Sequence, residues 1–130
     1  MPTFPSSDVA AEVFGKLFTI LTEDAEFTSR LQESGLTVRL IHTDPKLEIF
    51  IAPGELSVGE PVDRDASITI KMSCDSAHRL WLGTLLMPAA IATGKVRIRG
   101  KVAKVLELVP ILRPAFDRYP EIAAAHGLTV

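Results

Sequence analysis

The chain has 130 residues, 47% of them apolar and 23% charged, with a net charge of −2 at pH 7. That length permits a substantial buried core and fits one domain of about 100–150 residues, and the composition excludes a disordered chain. The slightly acidic balance argues against a nucleic-acid binder, which normally carries a basic excess. A single cysteine, Cys74, cannot form an internal disulfide, which suits a reducing compartment. The start, MPTFPSSD, lacks the basic region and apolar run of a signal peptide. The longest apolar run, Leu80 to Ala92, contains Gly83, Thr84 and Pro88 and falls short of the roughly 20 residues that cross a bilayer. The expected setting is cytoplasmic.

Pro2 and Pro5 keep the first residues out of a helix. Ser6, Ser7 and Asp8 offer N-cap oxygens for a first helix. Val9, Val13, Leu17, Ile20 and Leu21, with Phe14 and Phe18, give it an apolar face to about Thr22. Thr22-Glu23-Asp24 starts a second helix carrying Phe27 and Leu31, and Gly35 is placed to stop it. Strand patterns follow at Thr37 to Thr43, Leu47 to Ala52, Glu55 to Val58 and Ser67 to Ser73. Asp44-Pro45-Lys46, Pro53-Gly54, Gly59-Glu60-Pro61 and Asp63-Arg64-Asp65 read as turns. The alternation predicts a sheet with one solvated face and one face covered by helices.

Asp75 to Thr93 reads as a long apolar helical segment containing one Gly and one Pro. Lys95 to Arg99 alternates strictly between charged and apolar, which makes a fifth strand bracketed by Gly94 and Gly100. Val102, Val105, Leu106, Val109 and Leu112 return to helical spacing. A last helix, Ala115 to His126, is expected to be short or kinked at Pro120, beginning as late as Glu121.

No residue set assembles into an active site. Gly94 and Gly100-Lys101 have the wrong spacing for a phosphate loop, and Val102 replaces the hydroxyl that reaches magnesium. His42, His78 and His126 show no metal-ligand spacing, and His78 reads as a helix-surface residue. Cys74 sits at a strand-to-helix junction, where a helix N-terminus can lower a thiol pKa. The blander reading has Asp75 or Ser76 capping that helix and Cys74 packing as a small hydrophobe. Ser73 and Ser76 are further nucleophile candidates without a partner base, and Asp63 and Asp65 are paired carboxylates in a loop that supplies no pocket. Lys95, Arg97, Arg99, Lys101 and Lys104 form a basic stripe, read first as a solvated face and second as a weak attraction to anionic lipid. No catalytic residue, metal or cofactor is expected.

Thr93-Gly94-Lys95-Val96-Arg97-Ile98-Arg99-Gly100 resembles the small-Gly-Lys-apolar-x-apolar-x-Gly strand near the end of the sterol carrier protein 2 family. A polar start like Asp75-Ser76, a helix ending in Gly with an apolar run after it, and a helix after the second Gly extend the resemblance. With the upstream strands it covers Phe14 to Phe116. The resemblance implies an α+β fold, a five-stranded, mostly antiparallel sheet with helices over one face, in one domain spanning residues 1–130. It also implies non-catalytic binding or transfer of a long apolar lipid: a fatty acid, acyl-CoA, sterol or isoprenoid-like molecule. Positions in the matching pattern point to Leu40, Ile70, Trp81, Leu85, Met87, Ile91, Val105, Leu108, Leu112 and Phe116 as the lining of an apolar cavity. Met72 would suit it as an adaptable thioether. Without the resemblance the same set reads as an ordinary core. Two alternatives stay open: an accessory or dimerising module, for example one supporting isoprenoid quinone synthesis, and a small enzyme using Cys74 or His42. The partners implied are an apolar small molecule and transient membrane contact, without nucleic acid; a homodimer is left open. Leu128-Thr129-Val130 does not match the peroxisomal tripeptide, so that address is not implied.

Overall fold

The structure, a computed structural model, describes residues 4–53, 55–59 and 66–129. The readings that fall on Pro2, Gly54, Glu60 to Asp65 and Val130 lie outside the described residues.

The first two helices form where local signals place them. In α1 (Ser7–Glu23) the Ser6 hydroxyl accepts the Val9 N–H at 3.3 Å, and Val13, Phe14, Leu17, Phe18 and Leu21 turn into the core. α2 (Ala25–Ser34) is capped by Asp24, whose carboxylate accepts the Phe27 N–H at 3.0 Å, and it ends at Gly35. Both caps satisfy N–H groups that the first turn leaves without a partner.

Five strands follow: β1 (Val38–Thr43), β2 (Leu47–Ala52), β3 (Glu55–Val58), β4 (Ile68–Ser73) and β5 (Val96–Arg99). They form one sheet in the order β3-β2-β1-β4-β5. The β1–β4 pair is parallel and the other pairs are antiparallel, so the sheet is mixed, with antiparallel pairing in the majority. Side chains directly opposite one another share a face. Val38, Leu40 and His42 thus align with Ile51, Ile49 and Leu47 on one side and with Ile68, Ile70 and Met72 on the other. Val96 and Ile98 continue this apolar face onto β5, opposite Met72 and Ile70. α1, α3 and α4 pack on the sheet.

The opposite face carries Arg39, Glu48, Thr69, Lys71, Arg97 and Arg99. Arg39 Nε donates to Glu48 at 2.8 Å across β1 and β2. This face is not polar throughout: Phe50 belongs to it by register with Arg39, yet it is 1% exposed. The Thr37 N–H donates to Ser67 Oγ and the Ser67 N–H to Thr37 Oγ1, each at 2.9 Å, which fastens the start of the parallel pair. Gly100 is a position where only glycine fits. A Cβ there would lie 2.8 Å from the Ser67 carbonyl oxygen, and its φ is +117°.

The C-terminal half departs from the sequence reading in four places. The segment from Asp75 to Thr93 is two helices, α3 (Cys74–Leu82) and α4 (Met87–Ala92), because Gly83 takes φ 81° and ends α3. α3 is capped by Ser73 and not by Asp75 or Ser76: Ser73 Oγ accepts the Ser76 N–H at 3.1 Å, so Cys74 is already helical. After α5 (Val102–Leu108), residues Val109–Leu112 tighten into a 3-10 turn with Pro110 in its first turn. α6 (Arg113–Ala125) then continues through Pro120 and begins well before Glu121. The lost hydrogen bond is offset by packing, since Ala115, Tyr119, Ile122 and Ala123 on one face are all buried.

Candidate ligand cavity

The apolar sheet face and the helices do not close on each other completely. Between them lies a cavity of about 270 Å³. That lies near the lower end of ligand pockets, about 300–1,000 Å³. Leu40, His42, Ile51, Ile70, Met72 and Val38 form its floor from β1, β2 and β4. Phe18, Leu21 and Phe27 close one side from α1 and α2. Leu80, Trp81, Leu85 and Met87 come from α3 and the segment after it; Val105, Leu108, Val109, Leu112 and Phe116 come from α5 to α6. Gly83, Leu86 and Pro88 line it too and are exposed, so the segment between α3 and α4, with the first turn of α4, forms the rim. Leu86 is 67% exposed, an unusual degree for a large apolar side chain beside a cavity.

The structure places Leu40, Ile70, Met72, Trp81, Leu85, Met87, Val105, Leu108, Leu112 and Phe116 around this cavity and Ile91 outside it. On α4 the neighbouring Ala90 takes the inward position at 0% exposure, and one residue along a helix turns about 100° away, so Ile91 is left half-buried outside the lining. Trp81 holds a corner of the wall. Its ring lies 5.7 Å from Phe18, edge-on, and 5.0 Å from Phe116. Sequence reasoning missed the N-terminal wall and His42. Phe18, Leu21 and Phe27 carry the same periodic signal as core residues, and nothing local separates a core position from a cavity wall.

The chemistry of this site is sparse. His42 is the titratable side chain among the lining residues. Burial pushes its pKa down to about 4, so the imidazole is neutral near pH 7; the Leu47 backbone raises it slightly in return. Its ring stacks on Phe14 with centroids 5.0 Å apart. His78, read from sequence as a surface residue, is buried at 5% exposure. Its Nε2 lies 2.7 Å from the Thr129 carbonyl oxygen and its Nδ1 2.6 Å from the Tyr119 hydroxyl. A carbonyl can only accept, so Nε2 carries the proton and Nδ1 accepts from Tyr119. His78 thereby ties α3 to α6 and to the C-terminal residues.

Cys74 is fully buried, and its thiol lies 3.3 Å from the Pro45 carbonyl oxygen. Burial, with the charges of Asp75 and Asp44, pushes its pKa up to about 12, the opposite of nucleophile activation. Iodoacetamide is therefore expected to alkylate Cys74 in the native protein at least about a hundredfold more slowly than free cysteine at neutral pH, with urea restoring the rate. A native rate equal to that of free cysteine would contradict this burial. Ser73 and Ser76 hydroxyls bond each other at 3.1 Å within the helix cap. Among the described residues no cluster of His, Cys, Asp and Glu is arranged to hold a metal, and no helix is long and apolar enough to cross a membrane. In the basic stripe, Lys95, Arg97, Arg99 and Lys101 are exposed, and Lys104 pairs with Glu107 at 3.9 Å.

A mixed sheet with one apolar face, roofed by helices that leave a chamber beneath them, defines an α+β fold with an internal apolar cavity. The chain belongs to the SCP-2 sterol transfer family, whose model matches residues 15–113. Solved structures share the fold. The sterol carrier protein domain 2 of Helicoverpa armigera is 18% identical, with a TM-score of 0.62 over 84% of this chain and 91% of that one. A ubiquinone synthesis protein, UbiJ-SCP2, is 20% identical, with a TM-score of 0.59 over 82% of this chain and 95% of that one. Sterol carrier protein 2 of Aedes aegypti, solved in complex with palmitate, is 18% identical, with a TM-score of 0.54 over 82% of this chain and 96% of that one. No curated relative matches the chain significantly.

Proposed function

We propose that residues 1–130 form one lipid-binding domain that reversibly takes up a long apolar molecule and makes or breaks no bond. The candidates are a fatty acid, an acyl-CoA, a sterol or an isoprenoid-like lipid. The observation that carries this reading is the cavity itself, walled by aliphatic and aromatic side chains on both sheet and helices. Transfer of ligand hydrocarbon out of water supplies the affinity, at about 0.8 kcal/mol per CH₂. Family membership and the palmitate complex of the Aedes aegypti protein support the ligand class. The raised thiol pKa of Cys74 and the absorption of Ser73 and Ser76 into a helix cap speak for binding over catalysis. The setting we infer is cytoplasmic, with brief membrane contact at the rim where Leu86 is exposed.

Entry requires the cover from Met87 to Phe116 to move. That cover contains two helices of six and seven residues, lengths too short to be stable on their own. Purified protein is expected to carry extractable lipid, identified by mass spectrometry, and to bind a fluorescent fatty acid with a change in Trp81 emission. Lipid-free protein that binds no apolar probe would refute the reading. A second reading, an accessory or dimerising module, draws on the exposure of Leu86 and of Leu106 at 38%. Gel filtration at micromolar concentration, repeated after Leu86→Ser, separates the two: a dimer that Leu86→Ser dissolves favours the module.

A further inference from the structure

The size of the chamber limits how much of a guest it can hide. Its volume is about 270 Å³. A dry apolar cavity of about 150 Å³ takes one benzene, so at the same packing this chamber takes roughly eleven carbons. The floor cannot give way to a larger guest. Leu40, Ile51 and Ile70 stand on β1, β2 and β4, and each of these strands is paired on both sides. Only the helical cover can lift. Lifting it returns Leu108, Leu112 and Phe116 to water, and that loss offsets what each further buried carbon gains.

The chemistry of the lining sets the direction of entry. Apart from His42 and the Trp81 indole, it carries no polar side chain. His42 is already engaged: its ring bonds the Leu47 backbone, and its Nδ1 is sealed from the chamber. The backbone groups of the floor strands face their neighbours in the sheet. A polar head pushed inside would lose its water and find no replacement, which is costly for a hydroxyl and prohibitive for a charge. The exposed lining residues Gly83, Leu86 and Pro88 mark where a head can stay wet.

We infer that the cavity is a ruler for single flexible chains: it takes about ten to twelve carbons, tail first, leaves the polar head and any surplus chain outside at the rim, and admits no sterol. This rests on the lipid-binding reading above and narrows it. A sterol has more than twice as many carbons as the chamber holds, fused into rings that cannot fold, so much of its apolar surface would stay in water. A longer fatty chain enters only by its end, and the methylenes nearest its head add nothing to affinity. Since the head remains in solvent, its identity matters little.

The test is a series of saturated fatty acids, from octanoate to hexadecanoate, displacing a fluorescent fatty-acid probe from the wild type. Affinity is expected to rise about fourfold with each methylene up to about dodecanoate and then to level, with less than about threefold gained by hexadecanoate. Dodecanoate and dodecanoyl-coenzyme A are expected to bind within about threefold of each other, whereas a buried head would weaken the bulky thioester by about a hundredfold or more. Cholesteryl sulfate, a soluble sterol, is expected to displace none of the probe where dodecanoate displaces all of it. Val105 is 5% exposed and lines the chamber, so Val105→Trp is expected to move the break to tails about three carbons shorter without changing the slope before it. The wild-type series decides the matter even if that variant does not fold. A rise that continues unbroken to hexadecanoate, a hundredfold loss for the thioester, or cholesteryl sulfate binding as tightly as dodecanoate would overturn the ruler while leaving lipid binding intact. Failure of every ligand and of the probe to bind the wild type would instead remove the lipid-binding reading.

Discussion

Val105→Trp is expected to weaken lipid binding roughly fifty- to hundredfold while leaving the urea midpoint of unfolding nearly unchanged. Val105 is 5% exposed on the short helix α5 and faces the cavity. An indole there grows into empty space and displaces roughly three methylenes of ligand, each worth about 0.8 kcal/mol. Every 1.4 kcal/mol, approximately, is tenfold in affinity. If the chamber were instead filled by side chains, the indole would have to push apart a close-packed interior, at a cost of about 1–3 kcal/mol in stability. Titration with a fluorescent fatty acid and urea unfolding, read together, separate the two cases. Lost stability with unchanged binding would place the ligand elsewhere.

The second large effect is on acid stability. The imidazole of His42 falls from 6.5 to about 4 on folding, chiefly because burial disfavours its charged form. Between those values the unfolded chain takes up a proton that the native protein refuses. Stability from this group is therefore complete above about pH 6.5, declines as pH falls, and levels off below about pH 4. The total is about 3 kcal/mol, at 1.36 kcal/mol per pKa unit. Urea unfolding of the wild type at pH 7 and pH 4.5 reads the loss, and His42→Phe, which has no proton to gain, isolates it from the carboxylates that titrate in the same range. Equal acid losses in the two proteins would mean that the ring is not held neutral inside the fold.

What could be read from the sequence was set by local rules. Ser6, Asp24 and Gly35 act within one turn of where they stand, and the structure uses each as a helix cap or stop. The strands were legible because alternation is also local. The parallel pairing of β1 with β4 was not, since it is decided by residues about thirty apart and leaves no periodic trace. The same distance effect hides the histidines. His78 becomes a core residue only because Tyr119 and Thr129 reach it from the far end of the chain, and His42 only because Phe14 of α1 stacks on it. Strand alternation accounts for Ser73 equally well, so its role as a cap leaves no separate mark in the sequence. The local effect of Pro120 is to break a helix, and packing of Tyr119 and Ile122 overrides it.

The parallel seam between β1 and β4 has a consequence for assembly. On one side β3, β2 and β1 form a meander of neighbours in sequence, and on the other β4 and β5 pair around α3 and α4. Joining the two groups closes a loop of some thirty residues, as the Thr37–Ser67 clasp marks, and the entropy of that closure falls on the step that brings them together. The chamber straddles the join, with Leu40 on one group and Ile70 on the other. Neither group alone encloses anything, so a guest molecule can be retained only after both have met, and its occupancy becomes a gauge of how much of the population has completed that last union.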